Sequence, residues 1–124
     1  MEVISKEDKV RYHAAAAMAS NLYVGLANMC EQMLRDCGFS AANAHRALSP
    51  LMIGNTENII QYGPVGALTG PIERNDLTTV MDHLESLSEQ EQKVYKILSG
   101  EVINVAKMKH PERDYSEMER MLNS

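Results

Sequence analysis

Apolar residues recur along this chain at intervals of three and four, and only Glu2, Val3 and Ile4 alternate with period two, so the pattern predicts helices and no sheet. The stretch Ser5-Lys6-Glu7-Asp8 opens the first helix as a capping box, with Asp8 in the N3 place. Neither glycine nor proline intervenes before Gly25, and Gly38 is the natural stop after Cys37. One helix over residues 6–37 is therefore expected, about 48 Å long at roughly 1.5 Å per residue. Its middle, YHAAAAMASNLYVGLANMC, is apolar or small on every side, whereas an amphipathic surface helix shows one polar face. Such a helix has to be covered on more than one side, by its own domain or by a partner chain. Its alanine run, Ser20 and Gly25 would let another helix approach closely.

A second helix begins after Ser40 with Ala44, Ala47, Leu48, Leu51 and Met52 at helical spacing, and Pro50 should kink it or end it near Ser49. The pattern resumes through IGNTENIIQYG until Gly63 and Pro64 stop it. Residues 62–76, YGPVGALTGPIERND, then hold three glycines and two prolines. Beyond them Asn75 or Asp76 caps a helix with Leu77, Val80, Met81, Leu84 and Leu87 on its apolar face. The capping box Ser88 to Glu91 starts another, which points Val94, Ile97, Leu98, Val102, Ile103 and Val105 inward and runs to about Lys109. Pro111 ends it, and DYSEMERMLNS is expected as a short, frayed last helix. There is no internal repeat, low-complexity tract or linker.

Composition narrows this to one all-α domain over residues 1–124. No tryptophan, one phenylalanine and nine methionines suit an aliphatic, helix-packed core, in which the methionines and half-buried Tyr12, Tyr23, Tyr62 and Tyr95 are expected. Net charge is −5 with scattered Lys and Arg, which argues against nucleic acid as a partner. The longest apolar run, AAAAMA, is too short for a membrane span, and the polar N-terminus is unlike a signal peptide, so a cytoplasmic chain is expected. Cys30 and Cys37 lie about 10 Å apart along one helix, too far for a disulfide, and are expected as buried thiols.

The inventory of chemistry is short. Four histidines, at 13, 45, 83 and 110, show no metal-ligand spacing, so no metal is expected. No glycine-rich phosphate loop and no GxSxG nucleophile elbow is present. His13, Ser20 and Asn21 lie on or beside one face of the first helix, either facing a cleft or serving as surface and packing residues. Asn55, Thr56 and Asn58 either bind a ligand or satisfy backbone groups around the Pro50 kink. Pro64 and Pro71 fix φ while Gly63, Gly66 and Gly70 allow tight turns, so Thr69 and Gly70 either offer a hydroxyl and a bare amide to a cleft or form a wedged connection without a ligand.

The run KVRYHAAAAMASN at 9–21, together with GNTENIIQYGPVGALTGPIERND at 54–76 and the helical tail, resembles the DUF2520 family, the C-terminal helical domain of Rossmann-type predicted oxidoreductases. That family is similar to pyrroline-5-carboxylate reductase and more distantly to 6-phosphogluconate and β-hydroxyacid dehydrogenases. The resemblance implies a fold like the C-terminal domain of 6-phosphogluconate dehydrogenase, a helical bundle built on one long N-terminal helix and dimeric through it. It implies the substrate side and dimer interface of an NAD(P)-dependent oxidoreductase whose N-terminal Rossmann domain is missing, with residues 1–5 the remnant of that domain's last strand or linker. NAD or NADP would belong to the full-length protein. None is expected on this chain, which should be inactive alone. The alternative is a non-catalytic helical dimer used for binding or scaffolding.

Two departures qualify the resemblance. Asn75 stands where the family's turn usually has glycine. Ala17 stands one turn before Asn21, where β-hydroxyacid dehydrogenases carry a catalytic lysine. His13 then becomes the expected proton-transfer residue, with Ser20 and Asn21 orienting substrate and Asn55, Asn58, Thr69 and Gly70 completing the substrate site.

Overall fold

A computed structural model describes residues 3–124, which form six helices and no strand: α1 Lys6–Ala19, α2 Asn21–Asp36, α3 Ala41–Ala67, α4 Leu77–Ser86, α5 Glu89–Lys109 and α6 Ser116–Leu122. The all-α reading therefore holds for these residues. Val3 to Ser5 form no strand, though Ser5 is extended, and the first two residues of the expected strand remnant lie outside those described. The chain divides into two compact units, Met1–Pro50 and Leu51–Ser124.

In the first unit the expected single helix over 6–37 is broken at Ser20, whose backbone sits at φ −125°, ψ −81°. The Ser20 hydroxyl donates to the Ala16 carbonyl at 2.5 Å, four residues back, and the backbone N–H turns to Ala17 at 3.2 Å. A side-chain hydroxyl competing for carbonyls in this way bends or interrupts a helix. At the start of α1 the Asp8 N–H donates to Ser5 Oγ at 3.1 Å, which is the serine half of the expected capping box. The end of α2 follows expectation. Gly38, at φ +102°, donates to the Arg35 carbonyl, and Phe39 donates to Leu34, which together close the helix with a left-handed glycine. Ser40 then caps α3 through the Asn43 N–H, and Glu31 of α2 meets His45 of α3 at 2.8 Å. Ala44 is the one fully buried residue among the described residues of this unit. Cys30 is half-buried, and burial raises its thiol pKa, whereas Cys37 is exposed, against the expectation of two buried thiols.

Pro50 does not end α3, which runs on to residue 62 before Gly63 leaves helical geometry at φ +74°. The proline removes the donor for the Arg46 carbonyl, but both residues lie exposed, where solvent takes that role.

The second unit owns the core. Val80 and Leu84 of α4, Ile103 and Ala106 of α5, Met118 and Leu122 of α6, with Ile72 and Tyr115 from the connections, form one buried cluster. The last helix is thus a core element and not frayed, because Met118 and Leu122 fall four apart on its inner face. Asp76 caps α4 by accepting from the Thr79 N–H, and Ser88 with Glu91 forms the expected capping box of α5. Gln92 donates to the Leu84 and Leu87 carbonyls and so ties the end of α4 to α5.

Burial departs from the pattern on the outer faces. Ile97 and Leu98, expected inward, are 76% and 44% exposed, and Tyr12, Tyr23 and Tyr62 are exposed where packing was expected. Met18, Met81 and Met108 are exposed as well, so among the methionines Met118 is the fully buried one of the described residues. Hydropathy spacing identifies which face is apolar, not whether this chain alone covers it.

Truncating Met118 to alanine should cost about 2–5 kcal/mol through lost contacts and a residual cavity. Met108→Ala, at an exposed site, should stay within about 0.5 kcal/mol. Urea unfolding followed by circular dichroism separates the two; equal midpoints would remove α6 from the core.

Candidate functional site

The glycine- and proline-rich segment is held in place by the end of α5. At Gly63 the backbone turns left-handed, and a short helical turn over Pro64–Ala67 follows, with the Leu68 N–H donating to the Pro64 carbonyl at 3.1 Å. Gly66 is required there, since a Cβ would come within 2.9 Å of Tyr62 Cβ. Lys109 Nζ then donates to the Leu68 carbonyl at 2.7 Å. Five residues on, Glu73 is gripped through both its carboxylate and its backbone. Its Oε1 lies 2.7 Å from His110 Nε2 and 3.6 Å from Arg113 Nη1, while its carbonyl accepts from Tyr115 Oη at 2.7 Å and Arg113 Nη1 at 3.0 Å. Asn75 adopts φ +57°, a conformation that asparagine tolerates, and its amide donates to the Asp114 carbonyl at 3.1 Å.

The Glu73 side chain is only 13% exposed. The hydrogen bond from His110 holds its carboxyl below the usual range; burial opposes this, and the charges of His110, Arg113 and Lys109 add to the lowering. Asp76 is lowered too, chiefly by accepting from the Thr79 hydroxyl and N–H.

The clamped segment forms one wall of a cleft of about 370 Å³ between the second half of α3 and the middle of α5. Ile59, Pro64, Leu68, Leu98, Val102 and Val105 supply apolar surface. The polar residues that line it are Asn55, Thr69 and Glu101. A mostly apolar concavity with a few convergent polar groups is the ordinary form of a small-molecule site.

Of the residues singled out from sequence, Asn55 and Thr69 meet in this cleft. Gly70 adjoins it at φ +111°, a conformation that sets the direction of Thr69, but it is not a wall residue; Asn58 is exposed on α3 and is not one either. His13, Ser20 and Asn21 belong to the first unit. Ser20 Oγ and Asn21 Oδ1 lie 3.1 Å apart at the helix break, where the serine serves the backbone, and exposed His13 stacks edge-on with Tyr12 at 5.9 Å. Glu101 and the whole Lys109–His110–Arg113–Tyr115 grip went unnoticed in the sequence. The available signal was the pairing of Lys109 and His110 at a helix C-terminus, where cations meet unpaired carbonyls.

Residues 1–102 match the family described as "Domain of unknown function (DUF2520)". The chain belongs to this family. No curated protein and no solved structure matches it. The match takes in every wall residue of the cleft but Val105, together with the segment through Asn75, and it ends before Lys109 and His110, which grip that segment. Among the described residues of this DUF2520 chain, no three His, Cys, Asp or Glu side chains group as a metal ion would need, and no helix is long and apolar enough to cross a membrane.

A depressed carboxyl pKa means that the folded chain binds the Glu73 proton more weakly than the unfolded chain, so the stabilisation is present above the ordinary Glu value of about 4.3 and lost as pH falls through the lowered one. Glu73→Gln should lower stability at pH 7 by about 1–3 kcal/mol by unpairing its partners, and it should flatten the acid loss. Urea midpoints at pH 7 and pH 3.5 test this; an identical pH dependence in the variant would show that Glu73 is not the responsible group.

Proposed function

We propose that this chain is the substrate-side and dimerisation domain of an NAD(P)-dependent oxidoreductase of the kind similar to pyrroline-5-carboxylate reductase. The single observation that carries the substrate-side reading is the cleft, which Thr69 of the clamped loop and Asn55 of α3 line together with apolar residues. The nicotinamide chemistry is drawn from the family resemblance. The described residues contain no strand, hence no strand-to-helix turn of the type that cradles a dinucleotide pyrophosphate, and in this reading the dinucleotide would be held by a separate domain. What this chain supplies is substrate binding by Asn55 and Thr69. In this reading a proton comes from His13, oriented with Ser20 and Asn21 on the α1–α2 segment.

The second reading, a non-catalytic helical dimer, is favoured by one feature of the first unit. Val10, Met18, Leu22 and Val24 are each more than half exposed, and α1 and α2 bury no residue of their own. Both readings therefore invoke a second copy of the chain, and only the first invokes turnover.

In a protein joining this chain to a Rossmann domain, His13→Asn should lower kcat by about 10²–10⁴, the usual share of a general acid. Thr69→Val should raise KM while the fold persists. Steady-state kinetics with NADH and NADPH measures both; wild-type values for the two variants would leave the scaffolding reading.

Light scattering of the 124-residue chain over a range of concentration should give the mass of a dimer, and Ala16→Arg or Ala17→Arg should give the monomer. A monomeric wild type would withdraw the dimerisation role.

A further inference from the structure

We infer that the α3–α5 cleft is selective for a cationic aliphatic ligand, an alkyl ammonium or amidinium with an apolar body, and not for the carboxylate of a small acid. The inference rests on the reading of the cleft as a substrate site and adds the chemical class of what enters it.

Three groups could orient a ligand there, and only one is charged. Asn55 and Thr69 each offer both a donor and an acceptor and so discriminate little between anion and cation. Glu101 carries a carboxylate, which only accepts. Its neighbour Asn104 donates to Glu101 Oε2 at 3.2 Å, a neutral contact that leaves the charge in place. The walls contribute no Lys, Arg or His. Lys109 backs the Leu68 side of the cleft, but its ammonium is turned onto the Leu68 carbonyl at 2.7 Å, and along α5 it stands eight residues, about 12 Å, beyond Glu101. Ile59, Val102 and Val105 line the same cleft as Glu101 and would bury the body of a ligand whose cationic end reaches the carboxylate. An anionic acid of the same shape would meet Glu101 as a like charge, with no cation on the walls to offset it.

The test uses three probes of one shape: cyclohexylmethylammonium, cyclohexylmethanol and cyclohexanecarboxylate, titrated into the full chain at pH 7 and followed by amide and methyl NMR shifts of Thr69, Val102 and Val105. The ammonium should bind about two- to fivefold tighter than the alcohol, the range an exposed ion pair commands, and the carboxylate weaker than the alcohol. The ammonium advantage should shrink in 0.5 M salt. Glu101→Gln should abolish the preference while leaving alcohol binding unchanged, and Glu101→Lys should reverse it; Glu101 is exposed on α5, so both variants should keep the wild-type melting temperature. Equal binding of ammonium and carboxylate, or a preference that survives Glu101→Gln, overturns the inference and leaves the cleft as a site for apolar bodies. If none of the three probes shifts the cleft resonances, the inference and the substrate-site reading fall together.

Discussion

A single loop residue, Glu73, has its carbonyl and its carboxylate both taken up by groups that follow α5, and the geometry of the second unit depends on that double grip. The carbonyl receives Tyr115 and Arg113, and the carboxylate receives His110. Because Tyr115 is itself 2% exposed at the edge of the core, the loop is fastened to the same packing that holds Met118 and Val80. A hydrogen bond to a buried, immobile donor has little freedom to exchange with water, which is why a segment with so many glycines is nevertheless ordered. Remove the grip, and Thr69 loses its fixed direction relative to α5.

The local grammar of the chain was readable. Ser5, Ser40, Asp76 and Ser88 cap helices as their types and positions suggest, and Gly38, Gly63 and Asn75 take the left-handed conformations that glycine and asparagine favour. Each of those outcomes is decided within four or five residues. Ser20 misled because its hydroxyl can either sit passively on a helix or compete for a carbonyl, and the sequence looks the same in both cases. Pro50 misled in the opposite sense, since an exposed helix position tolerates the lost donor.

The site was half legible for a related reason. Thr69 and Asn55 could be named because they are polar residues in apolar or conformationally special surroundings, a property of the neighbouring sequence. Glu101 could not, because an acidic residue on a long helix is ordinarily a solvated one, and only the cleft lined by both α3 and α5 makes it part of a wall. The burial of Tyr115, Met118 and Leu122 was equally hidden, since the last helix is too short for its apolar spacing to stand out. The exposed faces of α1 and α2 carry the same lesson reversed: spacing shows a surface that wants covering, and the covering group is not written there.

The bonds that fix the loop join residues 37 to 42 positions apart. A nascent chain emerging from the ribosome therefore cannot set residues 68–75 when they first appear; they must wait for Tyr115 to be released. Closing so long an interval carries an entropic cost that the neighbouring helices, stabilised locally, do not face. The loop held by these long-range bonds is thus among the last parts of the protein to take shape, and helices α4 and α5 complete their turns around a segment still searching for its place.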